Sequence, residues 1–217
     1  MNKVCVILDP GHGASTPGKC SPAALQGDLC SPYYFKEYQW VREFGAILRD
    51  KLLEKDIRVE FTVLPNNDAD ISLADRVFRT NQAIYKNNDC HCIFISLHVN
   101  AAGDGTEYKT ARGYSIYSTK GENNSDILAA CLLEHAKEEL PKYGQKVRIY
   151  MSKYMEEDFE SNFYVIKGAN CPAILIEHMF QDNKQDIKFL KSDEGKQILA
   201  DIAVEGIIDF AKQKNWL

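Results

Sequence analysis

The sequence has no apolar run approaching 18 residues, so no stretch of it is long enough to cross a membrane as a helix. It also has no cluster of lysine or arginine, and its 26 basic side chains are outnumbered by 31 acidic ones, a net charge of −5. Nucleic acid and anionic lipid surfaces require basic faces, so neither is expected as a partner. Internal repeats, linkers and low-complexity tracts are missing too. One domain over residues 1–217 is the expectation, and a chain of that length buries a core without a covalent staple. The seven cysteines are odd in number, scattered, and partly set in apolar segments. They read as reduced, mostly buried thiols of a cytosolic protein, although Cys20 and Cys30 share a loop and could pair in an oxidising medium. The first apolar stretch is interrupted by Asp9 and Pro10 too early for a secretory signal, so synthesis in the cytoplasm is expected.

What is present is a set of apolar strands that end on chemistry-bearing residues. Val6-Ile7-Leu8-Asp9-Pro10-Gly11-His12-Gly13 reads as a strand closed by a rigid turn, with His12 at its carboxyl end. Residues 92–97 form a nearly continuous apolar run that ends at His98, with Asn100 just beyond. Residues 172–176 do the same and stop at Glu177. Glu37 opens a helix with an apolar stripe at Trp40, Val41, Phe44, Ile47, Leu48 and Leu52. The irregular stretch 14–36, rich in proline and glycine, reads as a functional lip.

Further strands are expected at 58–64 and 112–118, with a short one near 147–151. A capping box at Ser72 starts a helix carrying Leu73, Val77, Ala83 and Ile84, with Arg76 and Asn81 able to brace a site or to face solvent. Helices over 125–140 and 193–212 complete the set. His135 follows Cys131 by four residues, a metal-compatible helical spacing with no further ligands nearby. The acidic, aromatic stretch 154–164 is expected to wall a cleft. This alternation predicts a single α/β domain, a twisted, mostly parallel sheet with helices on both faces. Ligands in such sheets gather at the carboxyl ends of strands, where His12, His98 and Glu177 would lie.

Two histidines and a carboxylate suffice to hold a catalytic Zn2+, which keeps one position open for water. A further carboxylate can then shuttle the proton that hydrolysis requires. His12, Glu37 and His98 are the candidate metal ligands and Glu177 the candidate acid/base, although spacing alone allows Glu37 and Glu177 to exchange roles.

Taken in order, Leu8-Asp9-Pro10-Gly11-His12-Gly13, Glu37 at a helix start, Ser72-Leu73 with Arg76 and Asn81, Phe94-Ile95-Ser96-Leu97-His98-Val99-Asn100-Ala101 and Pro172-Ala173-Ile174-Leu175-Ile176-Glu177 resemble the zinc-dependent N-acetylmuramoyl-L-alanine amidases of the amidase-3 family. The resemblance implies zinc on His12, Glu37 and His98 and catalysis by Glu177. It implies as substrate the amide between N-acetylmuramic acid and L-alanine in peptidoglycan. Asn100 and His178 are the candidate substrate contacts, with tuning of Glu177 or a packing role as the alternatives for His178, and His178-Met179 departs from the small residue and glycine usual after the catalytic glutamate. Lacking a signal peptide, such an enzyme would reach the cell wall by phage-type release, as endolysins do. The competing expectations are a zinc peptidase of the stem peptide and a non-catalytic wall-binding module.

Overall fold

The computed structural model describes residues 3–150 and 158–217. Strand β1 (Val4–Pro10) leads through the short helix α1 (Pro22–Leu25) to α2 (Glu37–Leu53). Then come β2 (Arg58–Phe61), α3 (Leu73–Lys86), β3 (His91–Asn100) and β4 (Ser115–Ser118). Helix α4 (Asn124–Glu139) runs into a 3-10 turn, Leu140–Tyr143, and is followed by β5 (Phe159–Glu160) and α5 (Tyr164–Lys167). Strand β6 (Ala173–Phe180), α6 (Lys184–Lys191) and α7 (Asp193–Gln213) end the chain.

The six strands form one sheet in the order β2-β1-β3-β6-β4-β5, parallel except where β4 runs against β6. The expected α/β architecture is therefore the observed one. Side chains alternate across a strand, and the sequence uses both faces. Val6 and Leu8 of β1, Ile93, Ile95 and Leu97 of β3, and Ile174 and Ile176 of β6 enter the larger core, beneath α2, α4, α6 and α7. Cys5 and Ile7, Cys92 and Phe94, and Ala173 and Leu175 enter a smaller core beneath α3 and α5. Phe44 and Leu48 of α2 are wholly buried against the first face, each contributing about 2 kcal/mol by the area it removes from water.

Several expectations shift. The strand expected over 112–118 is only Ser115–Ser118, because Gly113 turns the chain at a φ of 115° and gives its N–H to Asp186 (2.9 Å). On α3 the expected Val77, Ala83 and Ile84 are half-buried against the smaller core, the fully buried side chains are Arg76 and Thr80, and Leu73 departs from the stripe at 56% exposed. Helix α6 was not legible in its polar sequence, yet Asn183 caps it with bonds to the Gln185 and Asp186 N–H groups. Near 147–151 there is a single bridge, Tyr114 with Val147, and residue 151 lies outside the described residues, as does 154–157 of the expected acidic wall. All seven cysteines are free, Cys20 and Cys30 included, and only Cys5 and Cys92 are buried. Among the described residues no helix is long and apolar enough to cross a membrane.

Candidate active site

The carboxyl ends of β1, β3 and β6 meet the start of α2. In register, Asp9 pairs with Ser96, and His98 with Glu177, so these side chains continue the rows that lie below them on the α3 side of the sheet. His12 follows β1 in a left-handed conformation, φ 56°, which is costly for a residue with a Cβ. Two buried arginines hold it there. Arg42 of α2 donates to the carbonyls of Pro10 (2.7 Å), Gly11 (3.2 Å) and His12 (2.8 Å). Arg76 donates to those of Pro10 (2.7 Å) and His12 (3.0 Å), and pairs with Asp9 at 2.8 Å. Gly11 is demanded by the site itself, since a Cβ there would lie 2.3 Å from the His98 ring.

His12, Glu37 and His98 offer three ligand atoms within 4.8 Å of one another. Glu37 Oε1 is 3.4 Å from His12 Nε2 and 3.2 Å from His98 Nδ1, and it accepts the Val99 N–H at 2.9 Å. Glu37 is fully buried, and its Oε2 has no hydrogen-bond partner among the described residues. A buried carboxylate with an unpartnered oxygen beside two imidazoles is the donor set of a borderline metal such as zinc, so the residues fit that ion. Burial lowers the His12 pKa to about 4, against the pull of Glu37, leaving a neutral ring with a free lone pair. Burial acts the same way on His98, but the hydrogen bond and charge of Glu37 outweigh it and raise that ring. Glu37 is lowered, its two histidines overcoming its burial.

Glu177 stands beside this cluster. Burial pushes its carboxyl up to about 8, with His98 opposing, Glu37 adding to the rise and Lys19 opposing again. A carboxyl of this kind can both accept and return a proton near neutrality. Lys19 was not anticipated. It lies within electrostatic reach of His12, Glu37 and Glu177, because its carbonyl accepts the Glu37 N–H (3.1 Å) and the Cys20–Lys36 bridge closes the base of the 14–36 lip.

The two expected substrate contacts are placed differently. His178 falls on the same face as Ile174 and Ile176, is wholly buried among Trp40, Phe44 and Tyr114, and bonds through Nδ1 to the His98 carbonyl (3.1 Å). It lies under the site and does not reach the cleft. Asn100 is half-buried at the carboxyl end of β3, where its Oδ1 accepts from Ala101 N (2.8 Å). Arg76 braces the site, whereas Asn81 is committed to Gly168 (2.9 Å) and Asn170 (3.0 Å), away from it. On the metal side opens a cavity of about 370 Å³, bordered by His12, Thr16, Asp70, Leu73 and Val165.

A family profile described as N-acetylmuramoyl-L-alanine amidase matches residues 6–209. The endolysin of Bacillus phage SPP1 is 27% identical, over 99% of this chain and 68% of its own length. The N-acetylmuramoyl-L-alanine amidase CwlM of Bacillus licheniformis is 28% identical, over 91% of this chain and 64% of its own. The chain thus spans about two thirds of each of these two relatives. The crystal structure of N-acetylmuramoyl-L-alanine amidase from Clostridium difficile 630 superposes with a TM-score of 0.76 at 26% identity, covering 99% of this chain and 100% of that one.

Proposed function

The chain belongs to the amidase-3 family of N-acetylmuramoyl-L-alanine amidases, and on that premise we propose that it hydrolyses the amide between N-acetylmuramic acid and L-alanine in peptidoglycan, using zinc. The observation that carries this reading is the clustering of His12, Glu37 and His98 beside Glu177, the register partner of His98. We take 1–217 to be one catalytic domain. His12, Glu37 and His98 would hold the ion. Zinc there would supply Lewis acidity, polarising the scissile carbonyl and making water more acidic.

The protein's own part is proton movement and positioning. Glu177 has an Oε2 with no hydrogen-bond partner among the described residues. Through that atom it takes a proton from the attacking water and returns it to the departing L-alanine nitrogen, a transfer that typically contributes a factor of about 10²–10⁴. Arg42 and Arg76 keep the His12 turn from relaxing, so the ligand geometry is set before substrate arrives. Similarity to a phage endolysin supports a lytic role at the cell wall, with the protein released to its substrate at lysis.

The test is digestion of purified peptidoglycan by the wild type, the chelated protein and Glu177→Ala, with products identified by mass spectrometry. Intact stem peptides with a free L-alanine amine are expected, lost on chelation and in Glu177→Ala while that variant still binds zinc. Cuts inside the stem would replace this reading with a peptidase, and no release from zinc-loaded wild type would leave a binding module. Intact protein in the envelope of healthy, unpermeabilised cells would refute the lytic role.

A further inference from the structure

The chain has seven arginines, and six of them donate to protein oxygens. Arg148 is the exception: its guanidinium has no oxygen partner and no carboxylate within ion-pair distance among the described residues. It is nevertheless held. Its N–H donates to the Tyr114 carbonyl (2.7 Å), next to the Tyr114–Val147 bridge. Its stem lies against Gly113, where a Cβ would come 3.2 Å from the Arg148 Cγ. The guanidinium sits 5.0 Å from the Phe180 ring centre and 5.8 Å from that of Phe159. A guanidinium stacked by its face keeps its N–H edge free, and that edge is the part that matches a carboxylate with two parallel bonds.

The position is next to the chemistry. Tyr117 packs on Phe159 and Phe163, with ring centres 5.1 Å and 5.2 Å away, and lies within electrostatic reach of both Glu177 and Arg148. Ser115 pairs with Glu177, and Tyr114 bridges Val147, so Arg148 stands two strand spacings from Glu177, roughly 10 Å across the sheet. An extended peptide covers that distance in about three residues.

We propose that Arg148 is a specificity-determining residue that reads a free carboxylate on the peptide within about three residues of the scissile amide, selecting acidic stems over amidated ones. This rests on the amidase reading above. Because the side chain is fixed before binding, little ordering entropy opposes the contact.

The experiment compares purified peptidoglycan with the same material after its free carboxylates have been converted to carboxamides, scoring new L-alanine amino termini. A charge-assisted pair at a half-exposed site is expected to give the wild type a KM about tenfold lower on the acidic wall, with little change in kcat. In Arg148→Gln that preference should fall to about one, and in Arg148→Lys, which keeps the charge but loses the fork, to an intermediate value. Equal KM for the two walls in the wild type, or a full preference retained in Arg148→Gln, overturns the proposal. New L-alanine termini on neither wall would instead refute the amidase reading, and this inference with it.

Discussion

Replacing Arg76 with methionine leaves the stem's packing largely intact and removes the cation from a pair whose side chains are 3% and 1% exposed. Asp9 keeps Ser96 (2.8 Å) and Thr62 as donors but loses its counter-charge. Burial is the largest influence on this carboxyl and pushes its pKa up; Arg76, Thr62 and Ser96 together reverse that and hold it below the ordinary 3.8. Without Arg76, Asp9 must remain charged in a dry site, at about 3–5 kcal/mol for a broken buried pair. The alternative is to take up a proton, which at pH 7 costs a group of ordinary pKa about 4 kcal/mol. The second route caps the first, so Arg76→Met should lose about 5 kcal/mol at pH 7, about 4 from the charge and about 1 from carbonyl bonds, a large share of the roughly 5–15 kcal/mol that holds a domain together. Since a proton is cheaper in acid, the loss should shrink by about 1.4 kcal/mol per pH unit toward pH 4. A residue of about 1 kcal/mol should persist there from the carbonyl bonds that Arg76 no longer makes. Urea unfolding of both proteins at pH 7 and pH 4.5 measures this directly. A difference below about 1 kcal/mol at pH 7, or one that does not change with pH, would refute the reasoning that Arg76 compensates a buried charge.

Gly11→Ala should lower zinc affinity by at least about 100-fold, because the new Cβ occupies the place of the His98 ring; competition with a chromophoric chelator measures it, and unchanged affinity would show that His98 does not hold the ion. His178 is buried with its pKa pushed down to about 3, so the unfolded chain takes up a proton below the ordinary 6.5 while the folded chain does not. That stability is complete above about pH 6.5 and falls by about 1.4 kcal/mol per unit as pH drops toward 3. Asp9, also lowered, adds a loss of the same sign below 3.8. In His178→Gln the slope of unfolding free energy between pH 6 and pH 4 should fall by about one proton, and an unchanged slope would mean that His178 is protonated in the fold.

The sheet and its principal helices were legible because their apolar residues keep a period. Residues 92–97 and 173–176 are buried on both faces, and each run stops at a chemistry-bearing side chain, which marks His98 and Glu177. The direction of His178 was also available: it has the parity of Ile174 and Ile176, which points it away from Glu177 and into the larger core. Lys19, Arg42 and Arg148 left no such trace. Lys19 reaches the cluster from a lip without periodicity, and Arg42 lies inside an ordinary amphipathic helix with nothing local to show that it reaches back to three carbonyls of the β1 turn. Arg148 is placed by a single bridge and by Gly113, contacts made at long range. Helix α6 was hidden because its cap at Asn183 is a side-chain bond, which composition does not report.

The pairing of His98 with Glu177 across adjacent parallel strands has a consequence for how such a protein diversifies. Their separation is set by the spacing of strands, about 4.8 Å, and owes nothing to the segments that border the cleft. Residues 14–36 leave the carboxyl end of β1, and the Arg148 segment joins the sheet through a single bridge to Tyr114. Apart from Lys19, whose carbonyl holds the Glu37 N–H, those borders can be lengthened, shortened or exchanged while His98 and Glu177 keep their separation. Under the proposed function, the choice of peptidoglycan and the rate at which its amide is cut are therefore separable traits.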